Sequence, residues 1–208
     1  MKVTDVQPQK NDSSKVSVFI DGDYAFSLDE VDALVMGIKP GLEVEREKLG
    51  EMVFASKFAK AKNTALKLIS RKTVCRKMVV DLLLEKGFDE EITDAVCTEF
   101  ESLGYIDDYN YASLFLEYAM EKMWGERKIR YELSNKGISK DIIEEVLSEA
   151  TFVDSESLSK IIIEKYRGLD FTDIKVKQKI QRFFVLRGFD FSDINEAINI
   201  CITIEDEK

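Results

Sequence analysis

The sequence predicts a mainly α-helical protein: three tandem three-helix repeats forming an elongated curved array, preceded by a small N-terminal extension that contains a β-hairpin. Three observations lead there. The first is a phrase that occurs three times, Glu85-Lys86-Gly87-Phe88-Asp89, Asn135-Lys136-Gly137-Ile138-Ser139 and Leu186-Arg187-Gly188-Phe189-Asp190, with glycines 50 and 51 residues apart. The second is the agreement around it. Leu83, Leu133 and Phe184 stand four residues before the glycine, Val79, Ile129 and Ile180 eight before, and Val96, Val146 and Ala197 nine after. Apolar residues at these intervals are the buried stripe of a helix, and glycine supplies the positive φ that stops one. The third is contrast, because the first sixty residues are a different kind of text that opens with the two-residue alternation of strands up to Leu28.

The extension, residues 1–60, begins with Val3 to Val6 as a candidate strand. Lys15 to Ile20 and Asp23 to Leu28 are strands joined by Asp21-Gly22, a strong two-residue hairpin signal. Asp29 to Met36 reads as a short helix capped by Asp29 and stopped by Gly37; helical text then starts at Val44 and runs through Ala61. In the first repeat, 61–106, Asn63 or Thr64 opens a helix with the face Ala65, Leu68 and Ile69. A second helix, Thr73 to Lys86, buries Val79, Leu82 and Leu83, and a third, capped by Asp89, buries Ile92, Val96 and Phe100.

The second repeat, 107–153, is capped by Asp107 or Asp108 and buries Tyr111, Ala112, Phe115 and Tyr118. Its second helix, Glu126 to Lys136, buries Ile129 and Leu133; its third, from Ser139, buries Ile142 or Ile143 with Val146 and Leu147. The third repeat, 154–208, opens at Asp154 or Ser155 with Leu158, Ile161, Ile162 and Tyr166 inward. Its later helices bury Ile180, Phe183 and Phe184, then Ile194, Ala197 and Ile198. A unit of this size has little core of its own, so neighbours must stack, and arrays of this kind bind partners more often than they transform them.

Composition narrows the chemistry. No apolar run approaches the roughly 20 residues of a membrane span, and Met1 to Asp5 lack the apolar core of a secretion signal. Cys75, Cys97 and Cys201 have no paired spacing and read as reduced thiols of a cytoplasmic protein. The sequence contains no histidine, which removes the commonest zinc ligand and general base together. No phosphate-cradling GxxxxGK[ST] or GxSxG occurs, so neither a catalytic residue nor a cofactor nor a metal site is expected. Asp107-Asp108 reads as a helix cap rather than a metal site.

A formal net charge of −10 opposes indiscriminate coating of nucleic acid. The charge is nonetheless segregated along the chain. Phe54 to Val80 holds eight bases and no acid, Lys122 to Lys140 six bases and two acids, and Ile174 to Gly188 five bases and no acid; each stretch is followed by an acidic one. The basic front of each second helix is therefore the candidate binding face: Arg71, Lys72, Arg76 and Lys77; Arg127, Lys128 and Arg130; Lys179 and Arg182. Guanidinium groups pair equally well with carboxylate and phosphate. The competing reading is a solvated face. With Ile129 and Leu133 inward, Arg127 and Arg130 lie off the apolar stripe, so reversing both to Glu is expected to spare folding. Trp124 is either an interface anchor or a filler between repeats.

Gly104-Tyr105-Ile106-Asp107-Asp108 followed by Tyr111-Ala112 resembles the joint between the first two repeats of the RecX family of recombination regulators. Ala65 to Lys72 is similar to that family's opening helix, and Gly125 to Leu133 with Lys136-Gly137-Ile138 to its second repeat. The hairpin at Asp21-Gly22 resembles the extension that many members carry. The resemblance implies a non-catalytic cytoplasmic protein, expected to be a monomer, that binds the RecA-type recombinase filament and limits its assembly, ATP hydrolysis and strand exchange. It would touch DNA within that filament and bind DNA only weakly alone. The alternatives are a tandem helix-turn-helix DNA-binding protein, against which the acidic third helices argue, and a scaffold for another partner.

Overall fold

The computed structural model describes residues 1–10 and 12–206. Glu207 and Lys208, at the end of the acidic run expected after Gly188, lie outside the described residues. Three strands, β1 (Val3–Gln9), β2 (Asp12–Ile20) and β3 (Asp23–Asp29), form an antiparallel sheet in chain order. Val16, Val18, Ile20 and Phe26 are buried on one face, as alternation requires. The hairpin turns at Asp21 (φ 50°) and Gly22 (φ 97°), both in the left-handed region that such a turn needs. β1 runs three residues beyond the expected Val6, and Pro8 is tolerated because β1 is an edge strand.

A short helix, α1 (Glu30–Val35), follows β3; Asp29 stands at its N-cap, but its side chain makes no capping bond. The next helix corrects the sequence reading. Instead of one helix ending near Ala61 and another opening at Asn63 or Thr64, α2 is a single helix, Arg46–Ile69. Thr64 does not cap: its hydroxyl donates back to the Lys60 carbonyl at 2.8 Å, and no glycine or proline interrupts the helix after Gly50. Met52 and Ser56 are buried at the sheet end of α2, where the Ser56 hydroxyl bonds the Ser27 carbonyl, while Ala61 and Ala65 are buried further along.

The remaining helices are α3 (Arg76–Glu85), α4 (Glu90–Ser102), α5 (Asp108–Glu121), α6 (Glu126–Asn135), α7 (Lys140–Ser148), α8 (Ser155–Lys165), α9 (Ile174–Val185) and α10 (Phe191–Asp206). Side-chain caps mark four of the expected starts: Asp89 accepts from the Ile92 N–H, Asp107 from Asn110, Ser139 from Ile142 and Asp154 from Ser157.

The three glycine phrases are geometrically equivalent. Gly87, Gly137 and Gly188 have φ of 83°, 77° and 86°. In each, the following residue donates its N–H five residues back: Phe88 to Leu83 at 3.1 Å, Ile138 to Leu133 at 3.2 Å and Phe189 to Phe184 at 3.2 Å. This is the same helix-ending motif three times, with the apolar residue after the glycine folded toward the helix it closes.

The described chain forms two compact units, Met1–Lys72 with Val79–Tyr105, and Thr73–Met78 with Ile106–Lys208. In the first, α2 packs on α4, and Lys62 joins Glu99 at 2.6 Å. In the second, one core gathers Ala112, Leu116, Ala119, Ile129, Leu133, Ile143, Val146 and Leu147, and another gathers Leu158, Ile162, Phe171, Ile180, Phe184, Ile194 and Ile198. Tyr118 was expected inside and is instead exposed. The α5 stripe runs 112, 116, 119, one step round from the expected face, because small Ala112 and Ala119 let neighbouring helices close on it. Cys75, Cys97 and Cys201 are buried, and no disulfide forms among the described residues.

Candidate partner interface

The second helices are joined to one another by a repeated contact. At the start of α3, the Cys75 thiol lies 3.3 Å from the Lys136 carbonyl and Lys77 Nζ donates to the Asn135 carbonyl at 2.9 Å. Both acceptors belong to the C-terminal end of α6. Fifty residues on, at the start of α6, the Gly125 N–H donates to the Arg187 carbonyl at 2.7 Å, at the C-terminal end of α9. The fronts of two successive second helices therefore dock on the glycine end of the helix that follows. A cation or an N–H meets the otherwise unpartnered carbonyls there.

The second joint is the tighter one. A Cβ on Gly125 would lie 2.5 Å from the Gly188 carbonyl oxygen, and one on Gly188 would lie 2.4 Å from the Lys128 backbone nitrogen. In the first joint a Cβ on Gly137 would meet only the Lys77 side chain, at 2.9 Å. Gly125 at this position is a packing requirement, because its φ of −79° is open to any residue.

These joints redistribute the candidate cations. Lys77 serves a helix end within the fold, and the Arg76 N–H donates to Asp108 at 2.7 Å. Arg127 pairs with Asp190 at 2.7 Å while remaining largely exposed. Arg130 is held between Glu126, at 2.7 Å, and Glu144. Reversing Arg130 to Glu would set three carboxylates together, which weighs against the expectation that the double reversal of Arg127 and Arg130 spares the fold. The Glu144 and Glu126 carboxylates raise the Arg130 pKa further, and Arg130 in turn holds Glu144 below the usual carboxylate range.

Lys128 has its ammonium 4.1 Å from the centre of the Trp124 ring. Trp124 is half-buried and meets Phe115 edge-on at 6.0 Å and Tyr118 at 6.2 Å. It packs in the core that α5, α6 and α7 share.

Arg71, Lys72, Lys179 and Arg182 are different. All four are exposed, and none makes an ion pair among the described residues. Lys179 lies only over the Tyr166 ring, at 5.7 Å. The sequence reading missed Lys175, which is exposed on α9 beside Lys179 in the same acid-free run. It also passed over Arg187, whose guanidinium stacks 3.6 Å from the centre of the Phe183 ring. Among the described residues no group of three His, Cys, Asp or Glu could hold a metal ion, and Asp107 caps α5. No helix among the described residues is long and apolar enough to cross a membrane.

Tandem three-helix units behind a small sheet, with exposed cations on their second helices, define a repeat array built on helix-turn-helix-like modules. Sequence models of the RecX family match at three places: the regulatory protein RecX N-terminal domain over residues 1–45, the first RecX three-helix domain over 61–100 and the second over 107–147. A regulatory protein RecX of Caldanaerobacter subterraneus subsp. tengcongensis is 34% identical over 194 residues, covering 92% of this chain and 96% of that one. One from Clostridium botulinum (strain Eklund 17B) is 32% identical over 208 residues, with 98% of each chain covered. The chain belongs to the RecX family of regulatory proteins. Its fold is similar to a crystal structure of regulatory protein RecX, with a TM-score of 0.64 at 23% identity over 93% of this chain and 97% of that one. It is also similar to RecX from Lactobacillus salivarius, with a TM-score of 0.59 at 25% identity over 71% and 97%.

Proposed function

We propose that this protein is a non-catalytic regulator that binds the RecA-type recombinase filament and limits its assembly, ATP hydrolysis and strand exchange. The observation that carries this reading is similarity along nearly the whole chain to proteins named as regulatory, combined with a repeated basic helix front. Within it, residues 1–60 form the extension and 61–106, 107–153 and 154–208 the three repeats. Repeated modules facing a polymer let weak contacts add, so occupancy of a filament exceeds what one module could reach alone. Bound in this way, the protein disturbs filament growth without chemistry of its own. Arg71, Lys72, Lys179 and Arg182 are the side chains best placed to contact the partner, since the fold does not neutralise them. A cytoplasmic site of action follows from the partner.

The experiment adds the full chain to recombinase assembled on single-stranded DNA and follows ATP hydrolysis and strand exchange. Both are expected to fall as the protein approaches stoichiometric amounts. Unchanged rates at stoichiometric protein would overturn the reading. Tight, sequence-preferring and salt-sensitive binding to naked duplex would replace it with direct DNA recognition.

A further inference from the structure

Two shallow depressions meet on the surface of the second unit. One is lined by Lys128, Tyr131 and the single acid Glu132 of α6, with Val185 at the end of α9 and Leu186 and Phe189 just beyond it. The other is lined by Lys175, Gln178, Lys179, Arg182 and Phe183 of α9, and it shares Leu186 with the first. Along α9, Ile174, Gln178, Arg182 and Leu186 recur every fourth position and so stand on one face. The apolar members are unusually open to solvent: Ile174 is 71% exposed, Leu186 68% and Tyr131 64%. The result is a face on which the exposed apolar side chains Tyr131, Leu186 and Ile174 alternate with Gln178 and the cations Arg182, Lys179 and Lys175; Glu132 is the one acid lining either depression.

This combination discriminates between two anions. A phosphate backbone would satisfy the cations but leave Ile174, Val185 and Leu186 with nothing to cover them, because aliphatic side chains make no productive contact with phosphate. A peptide bearing carboxylates beside an apolar row satisfies both. Burial of the apolar row supplies the affinity, and the cations orient the segment and reject neutral competitors. The overall negative charge of the protein works in the same direction, since it repels a long polyanion more than a short acidic segment.

We propose that the face running from Tyr131 over Leu186 to Lys179 and Ile174 is a docking groove for an acidic amphipathic segment of a protein partner. On the reading above, that partner is the recombinase. Lys175, Lys179 and Arg182 pair with its carboxylates, while Ile174, Leu186 and Tyr131 receive its apolar side chains. This deepens the proposed function and rests on it only for the identity of the partner.

The test has two arms. In the first, the full chain is titrated with a synthetic helix carrying Leu at every fourth position and Glu between. The controls are the same peptide with Leu replaced by Ser, and a single-stranded oligonucleotide. Saturable binding is expected for the leucine peptide alone. It is expected to weaken about tenfold in both Lys179→Glu/Arg182→Glu and Tyr131→Ser/Leu186→Ser, with melting temperatures unchanged. Absence of binding, equal binding of the leucine-free peptide or the oligonucleotide, or either double variant remaining within about twofold of the parent would overturn the groove. In the second arm, the same variants are co-sedimented with recombinase filaments. Loss in both variants supports the assignment. If the parent sediments and both variants follow it unchanged, the filament contact lies elsewhere and the assignment falls. If the parent itself stays in solution, the filament reading fails while the peptide arm still decides the groove.

Discussion

Repeats two and three make the same tie with different chemistry. In the second, Arg130 on α6 reaches Glu144 on α7; in the third, Gln181 on α9 donates to Asn195 on α10 at 2.7 Å. Both pairs are separated by 14 residues, and they occupy corresponding positions, 51 apart, in the glycine register. Where repeat two holds an ion pair, repeat three holds two neutral amides. Its cations lie one helical row away, at Lys175, Lys179 and Arg182, which make no ion pair among the described residues. Equivalent frames can thus direct charge inward for cohesion or leave it outward and exposed.

The sharpest way to break the comparison is at the joint between the two repeats. Gly188→Ala combines a left-handed backbone with a Cβ driven into Lys128, and it is expected to lower stability by about 3 kcal/mol in urea titration. Gly125→Ala meets the clash without the backbone strain and should lose about 2 kcal/mol. Gly87→Ala, at the corresponding end of α3 where a Cβ meets open space, should lose only about 1 kcal/mol. Equal losses at Gly87 and Gly188 would show that close packing at the joint contributes nothing.

A milder change tests the tie itself. Arg130→Gln alone leaves Glu126 and Glu144 without their shared cation and is expected to lower Tm by about 2 °C. Adding Glu144→Asn recreates the pair of repeat three and should recover most of that loss. The filament binding proposed above should follow neither change, because Arg130 is already engaged within the fold.

The smallest effect is on pH dependence. Main-chain N–H groups hold Asp89 and Asp154 below the usual carboxylate range, with Lys57 assisting at Asp89, and Arg130 does the same for Glu144. Each folded pKa lies below its unfolded value. The stabilisation is therefore complete above the unfolded pKa and is lost as pH falls through the folded one. Thermal melts should be nearly flat from pH 6 to 8, where the absence of histidine leaves no ordinary side chain titrating, and should decline below about pH 4.

Much of the fold was legible because its signals are local. A glycine that must adopt positive φ, an acid or serine that caps and an apolar stripe each act within a few residues, so Gly87, Asp89, Ser139 and Ile129 could be assigned by spacing. Tyr118 was misplaced because the width of a buried stripe depends on what packs against it, and Ala112 and Ala119 reveal that only when a neighbour is present. The α2 boundary failed for a related reason. Thr64 is as good a cap in sequence as Asp89, yet a helix already anchored on the sheet leaves Thr64 no free end to cap.

For the candidate interface, the basic front of each second helix was visible as composition. Which of those cations remain available was not, because their partners come from residues far along the chain: the Asn135 carbonyl for Lys77, the Asp190 carboxylate for Arg127. The sequence alone determined the repeat period, the glycine-marked helix ends and the segregation of charge, since these follow from backbone sterics and short-range periodicity. Tertiary structure decided that Gly125 must be glycine, that Arg130 belongs to a tie and that Lys179, Arg182 and Leu186 stand open on one face. Those outcomes depend on contacts between segments some fifty residues apart, and short-range periodicity has no reach across that distance.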